Sequence, residues 1–164
     1  MTDVVKSIVC LSALGILSFF VGRVIPQGRL NENVFPFKLF NFEHGGRVYD
    51  KLRIRHWQKK LPDMSRISKR MMPKELKERS TDGKIDRMIK ETCVAELTHA
   101  AISILGIFSI MLSKRKMIGV VLYAMWVLGN FPFIIVQRYN RSRLLRLKSK
   151  MDSREKSSFC TSKQ

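Results

Sequence analysis

Glu96 and His99 stand three residues apart inside a stretch that is otherwise apolar from Cys93 to Ser113. Ionisable side chains in a bilayer-length apolar run are expensive to keep and by default mark a functional site. On an α-helix this spacing places them about 60° apart, close enough to meet. A carboxylate beside an imidazole orients the ring and stabilises its protonated form, which is what a general base needs to take a proton from a hydroxyl. Asn130, in the next apolar run, offers an amide that can satisfy either group or donate to a developing oxyanion. Pro132, lacking an N–H, leaves the carbonyl of Leu128 without its helical donor at that depth. The expected catalytic set is therefore His99, Glu96 and Asn130. The same trio could serve as helix-to-helix glue. A metal site ranks behind both, because Glu-x-x-His is only half of a carboxylate–histidine di-metal arrangement and no second copy occurs. No metal ligand and no cofactor is assigned.

A second constellation follows directly: Gln137-Arg138-Tyr139-Asn140-Arg141-Ser142-Arg143. Arg138 and Arg141 share a helical face, flanked by Gln137 and Asn140, and planar guanidinium forks there suit phosphate groups. Arg55 and Trp57 could add a further donor and a stacking face. Glu91 is five residues before Glu96, about 140° round the helix, and belongs to a different contact. His56 and Asp63 lie seven apart, which is not the His-x4-Asp spacing of common glycerolipid acyltransferases.

These groups need elements to carry them. Met117–Val136 is twenty residues without a charge, roughly 30 Å as a helix and so the thickness of a bilayer's hydrocarbon core. Cys93–Ser113 is its partner. Ser7–Gly22 is a shorter run, extended to Ile25 if Arg23 snorkels, and reads as an uncleaved anchor. The fold expected is all-α and integral to the membrane, a single domain with spans at about 7–25, 93–113 and 117–136. A basic amphipathic cytoplasmic region fills 26–92, and a basic tail 137–164 ends in disorder over 153–164. Within 26–92, Phe35, Phe37, Phe40 and Phe42 suit a membrane–water boundary. Tyr49–Leu61 reads as a short basic helix or strand ended by Pro62 and Asp63. Pro73 opens a short helix, Ser80-Thr81-Asp82-Gly83 breaks it, and Asp82 caps a helix running unbroken into the second span.

The chain has 164 residues and a formal charge of +18, from 31 Lys and Arg against 13 Asp and Glu. Such a balance calls for an anionic partner. The apolar runs exclude a soluble nucleic-acid binder and leave membrane lipid or a phosphorylated substrate. Arg23–Lys90 carries 18 basic residues and the tail from Arg138 nine. Three spans put both on one side, the cytoplasm, of a multi-pass protein of the cell membrane. Lys114-Arg115-Lys116 is outvoted. Three cysteines without a Cys-x-x-Cys pair argue against a disulfide framework or a zinc site.

Several short blocks occur together and in a familiar order. They are Phe40-Asn41-Phe42-Glu43, Arg55-His56-Trp57, Glu91-Thr92 with Ala95-Glu96-Leu97-x-His99, and Asn130-x-Pro132 through Gln137-Arg138-Tyr139-Asn140-Arg141-x-Arg143-Leu144. Over about Phe35–Leu144 the chain resembles the glycosyl-diaponeurosporenoate acyltransferases of staphyloxanthin-type carotenoid synthesis. The resemblance implies transfer of a fatty acyl group to a sugar hydroxyl of a glycosylated carotenoid or related glycolipid. Glu91, Glu96, His99, Asn130, Gln137, Arg138, Asn140 and Arg141 fall on its matching positions. The donor expected is a cytosolic acyl thioester such as acyl-CoA, its phosphates against Arg138, Arg141 and Arg55. The competing expectation is a non-enzymatic basic membrane adaptor that binds anionic lipid or partner proteins.

Overall fold

The computed structural model describes residues 3–61 and 82–161. The helix expected at Pro73, and the stops at Pro62 and Asp63, lie outside the described residues. Among those described, every regular element is helical. The α-helices are α1 (Asp3–Val24), α2 (Arg47–Lys51), α3 (Ile54–Trp57), α4 (Asp82–Leu105), α5 (Phe108–Leu112) and α6 (Lys116–Thr161), with 3-10 turns at Gln27–Arg29, Asn41–Gly46 and Gln58–Lys60. Three helices are long and apolar enough to cross a membrane: Val4–Val24, Gly83–Leu112 and Lys116–Arg154.

The chain divides into two compact units. One is built from residues 1–30 and 93–137. Here α1 packs on α5, tied by the buried Ser7 hydroxyl, which donates to the Ser109 carbonyl at 3.1 Å. Small residues let these backbones approach, as membrane helices require when apolar burial gives them little preference for one another over lipid. The α5–α6 turn is equally close: a Cβ on Gly119 of α6 would come within 2.9 Å of the Ile110 Cα on α5.

The second span is not one continuous helix. It breaks at Gly106 and Ile107, where the last α-type bond, Gly106 N–H to Ile102, gives way to a tighter one from Ile107 to Ile104. The Trp126 indole explains the break. Its Nε1 donates to the Ile102 carbonyl at 3.0 Å, and its ring fills the space a Cβ on Gly106 would enter, at 2.7 Å. Glycine also weakens the helix at that point.

The other unit comprises residues 31–92 and 138–164. Ile85 and Ile89, one turn apart on α4, are fully buried against Leu144 of α6, with Met88, Leu145, Leu147 and Met151 packed around them. Lys148 reaches Asp86 at 2.5 Å, which holds the lysine more tightly protonated than usual. The tail expected to be disordered from Ser153 instead continues α6 to Thr161. From Leu144 to Met151 it has an apolar stripe to bury, so helix persists past the last membrane-like residue.

Candidate active site

In the first unit, α4 presents His99, Ile102 and Ser103 at i, i+3 and i+4 on one helical face, with Gly106 just past its end. From α6, Trp126, Asn130 and Phe133 meet it, also at helical spacing. His99 Nδ1 lies 3.0 Å from Asn130 Oδ1. Its ring stacks on Phe133, with centroids 4.9 Å apart and planes 12° from parallel. Asn130 is itself held, because its Nδ2 donates to the Trp126 carbonyl at 2.9 Å. That bond decides the chemistry of the histidine. A carbonyl oxygen only accepts, so the amide nitrogen must face Trp126 and the amide oxygen must face His99. Nδ1 is then the proton donor, and in the neutral ring the lone pair lies on Nε2.

The expected carboxylate–imidazole pair is replaced by an amide–imidazole pair. Glu96 is buried one turn earlier on α4, but the residue bonded to the His99 ring is Asn130. The reason is directional: Asn130 approaches from a facing helix, whereas Glu96 and His99 rise side by side from the same one. Phe133 and Trp126, both unassigned by the sequence reading, complete the setting. Their spacing from Asn130 was the available clue. Among the described residues no group of three His, Cys, Asp or Glu side chains could hold a metal ion.

In the second unit the arginines expected to dock phosphate are turned inward. Arg138 sets its fork on Glu43: Nε to Oε1 is 2.7 Å and Nη2 to Oε2 is 3.0 Å. Its Nη1 donates to the Pro36 carbonyl and its Nη2 to that of Lys38, each at 3.1 Å. The guanidinium also lies 4.6 Å from the centroid of the Phe40 ring. Glu43 is wholly buried and accepts from the Tyr49 hydroxyl and the Phe40 N–H as well. Burial alone would raise the Glu43 pKa, but these hydrogen bonds outweigh it and hold the carboxyl below its usual range. Burial and the neighbouring carboxylate push the Tyr49 phenol up to about 12. Arg141 is fully buried with its guanidinium 5.8 Å from the Phe37 ring centroid. Gly46, in the left-handed region at φ +97°, lets this turn lie against Ser142, whose Cβ would be 2.6 Å from an added Cβ.

The other predicted residues are dispersed within their units. Glu91 pairs with Arg87 at 3.2 Å, an exposed i, i+4 contact on α4. Trp57 donates from Nε1 to the Leu52 carbonyl at 3.2 Å. Gln137 and Asn140 are half-buried on α6. Arg55 lines a cleft of about 310 Å³ with Asp50, Arg53, His56, Tyr139, Arg143 and Arg146. Of that set only Arg55 was named as a binding residue from sequence.

The profile of the family described as glycosyl-4,4'-diaponeurosporenoate acyltransferase matches residues 33–150. Proteins of that name from Staphylococcus aureus strains N315 and USA300 are each 38% identical over 131 residues, covering 77% of this chain and 76% of theirs. The protein of that name from the bovine strain RF122 is 36% identical over 130 residues, with the same coverage. No solved structure gives a significant match. The chain therefore belongs to the glycosyl-4,4'-diaponeurosporenoate acyltransferase family.

Proposed function

We propose that this protein transfers a fatty acyl group from a cytosolic acyl thioester to a sugar hydroxyl of a glycosylated carotenoid, with His99 as the general base. The observation that carries the base assignment is the Asn130 amide, locked to the Trp126 carbonyl and bonded to His99 Nδ1. It leaves Nε2 as the proton acceptor. Nε2 takes the proton of the sugar hydroxyl while that oxygen bonds to the thioester carbonyl carbon. The C–S bond then breaks, and the leaving thiolate recovers the proton from the imidazolium. A base held in one tautomer contributes about 10²–10⁴-fold. Stacking on Phe133 keeps the ring plane from rotating away from the reacting hydroxyl.

Membrane placement is part of the proposal. Three apolar helices span the bilayer as a multi-pass protein of the cell membrane, and the basic segments, 23–90 and the tail, face the cytoplasm. An apolar acceptor and a fatty acyl chain both partition into the bilayer, so a base within an apolar helix meets them where they are concentrated. Of the predicted substrate-binding residues, Arg138 and Arg141 take a supporting role, since their side chains are buried.

The test is mass spectrometry of lipid extracts from a host that makes glycosylated carotenoid and carries either this protein or its His99→Ala variant. The expected result is one added fatty-acyl mass with the first and none with the second. Acylation by both would remove His99 as the base. Acylation by neither, with both proteins present in the membrane, would overturn the acyl-transfer reading and leave the adaptor.

A further inference from the structure

The cleft in the second unit has a composition that a solvated surface does not call for. Four arginines converge on it, Arg53 and Arg55 from the α2–α3 segment and Arg143 and Arg146 from α6, against one acid, Asp50. Among the described residues Asp50 pairs with Arg146, at 3.6 Å, and both partners are about half exposed. Such a pair is worth little and leaves most of the positive charge uncompensated. Arg143 lies 5.5 Å from the centroid of the Tyr139 ring, which is 2% exposed and gives that arginine a fixed platform. Tyr139, Arg143 and Arg146 recur at i, i+4 and i+7, so α6 supplies one wall from a single face. Arg53 is held in the left-handed region at φ +50°. A non-glycine residue in that conformation stores strain, and such strain gathers at binding sites.

Like charges repel, so bringing four guanidinium groups around about 310 Å³ is unfavourable until an anion enters. Their planar forks match carboxylate and phosphate oxygens alike, and four of them around one cleft favour the more highly charged phosphate. The contrast with Arg138 is direct: its charge is already cancelled by Glu43. The volume is at the lower end of small-ligand sites, right for a phosphorylated head group rather than an acyl chain.

We infer that this cleft is the docking site for the phosphorylated nucleotide end of the acyl donor, with Arg53, Arg55, Arg143 and Arg146 as its phosphate ligands. The assignment rests on the acyl-thioester reading above and specifies the donor class: a coenzyme A thioester, whose nucleotide carries three phosphates. A lipid head group shares the phosphate chemistry and is separated by experiment.

The experiment measures binding of coenzyme A to the full chain in nanodiscs of zwitterionic lipid, by equilibrium dialysis. Dephospho-coenzyme A is run in parallel, and both are repeated in nanodiscs containing phosphatidylglycerol. Coenzyme A should bind, dephospho-coenzyme A about tenfold more weakly, and Arg55→Gln with Arg143→Gln should weaken coenzyme A about tenfold or more. Lys150→Gln, an exposed basic residue outside the cleft, should leave binding unchanged. If the glutamine variant fails to fold, Arg55→Lys with Arg143→Lys keeps the charge, removes the forks and should still weaken binding. Coenzyme A affinity unchanged by either cleft variant, or equal for both nucleotides, overturns the assignment. So does displacement by phosphatidylglycerol with no preference for the 3'-phosphate, which would make the cleft a lipid head-group site. Coenzyme A binding without acyl transfer would keep the cleft and remove the acyl-transfer reading. Acyl transfer with an acyl-CoA KM unmoved by the cleft variants would do the reverse.

Discussion

The Asn130 side chain reaches His99 with its oxygen and the Trp126 carbonyl with its nitrogen, so one amide fixes the tautomer of one imidazole. Replacing Asn130 by leucine keeps the volume but removes both bonds. The ring is then free to carry its proton on either nitrogen. We expect kcat for acyl transfer to fall about 10–100-fold with little change in KM, a smaller loss than the 10²–10⁴ expected for His99→Ala. Single-turnover acylation of a glycosylated carotenoid in nanodiscs measures both.

Glu43 and Arg138 form a buried, two-pronged pair. Glu43→Ala strands the buried Arg138 guanidinium without its carboxylate partner. Loss of one partner of a buried pair costs about 3–5 kcal/mol. Arg138→Lys should be destabilising too, because an ammonium cannot span both carboxylate oxygens and two carbonyls at once. Glu43→Leu with Arg138→Met removes both charges and should recover part of the loss. Thermal melts in detergent rank the four proteins.

The same pair sets the acid response. The Glu43 carboxyl ionises below its usual range when folded, so its stabilisation is present above an unfolded carboxylate pKa of about 4.3 and is lost as pH falls through the lower folded value. Tyr49 has the opposite sign. Its folded pKa of about 12 lies above the ordinary tyrosine value of 10.0, so stability falls as pH rises through that window while the folded phenol holds its proton. Tyr49→Phe should flatten the alkaline limb of a melting-temperature-versus-pH curve and lower the neutral-pH plateau by about 1–3 kcal/mol.

Two glycines predict opposite outcomes for the same substitution. Gly46→Ala places a side chain at φ +97° and drives its Cβ onto Ser142, so it should destabilise by about 1–3 kcal/mol. Gly129 lies within α6 with nothing within 4 Å of an added Cβ. Gly129→Ala should therefore leave the structure intact and stabilise the helix by up to about 1 kcal/mol. Melting temperatures of the pair measure the contrast.

Helix type and approximate extent were legible from composition alone. Three predominantly apolar runs of near-bilayer length point to three long helices, because periodicity and length are local properties. The bonded polar pair was legible by type too: an imidazole and an amide in apolar helices are conspicuous. What the sequence could not supply was partnership. Glu96 is the nearer neighbour of His99 along the chain, yet Asn130, 31 residues away, holds the ring, because facing helices bring side chains tip to tip. Arg138 and Arg55 look interchangeable as phosphate ligands in a string of basic residues. Only the packed turn at Asn41–Gly46 delivers the Glu43 carboxylate to Arg138 and leaves Arg55 lining a cleft with other cations. Which charge is cancelled and which is left for a ligand depends on contacts far apart in sequence, and those are decided by tertiary packing.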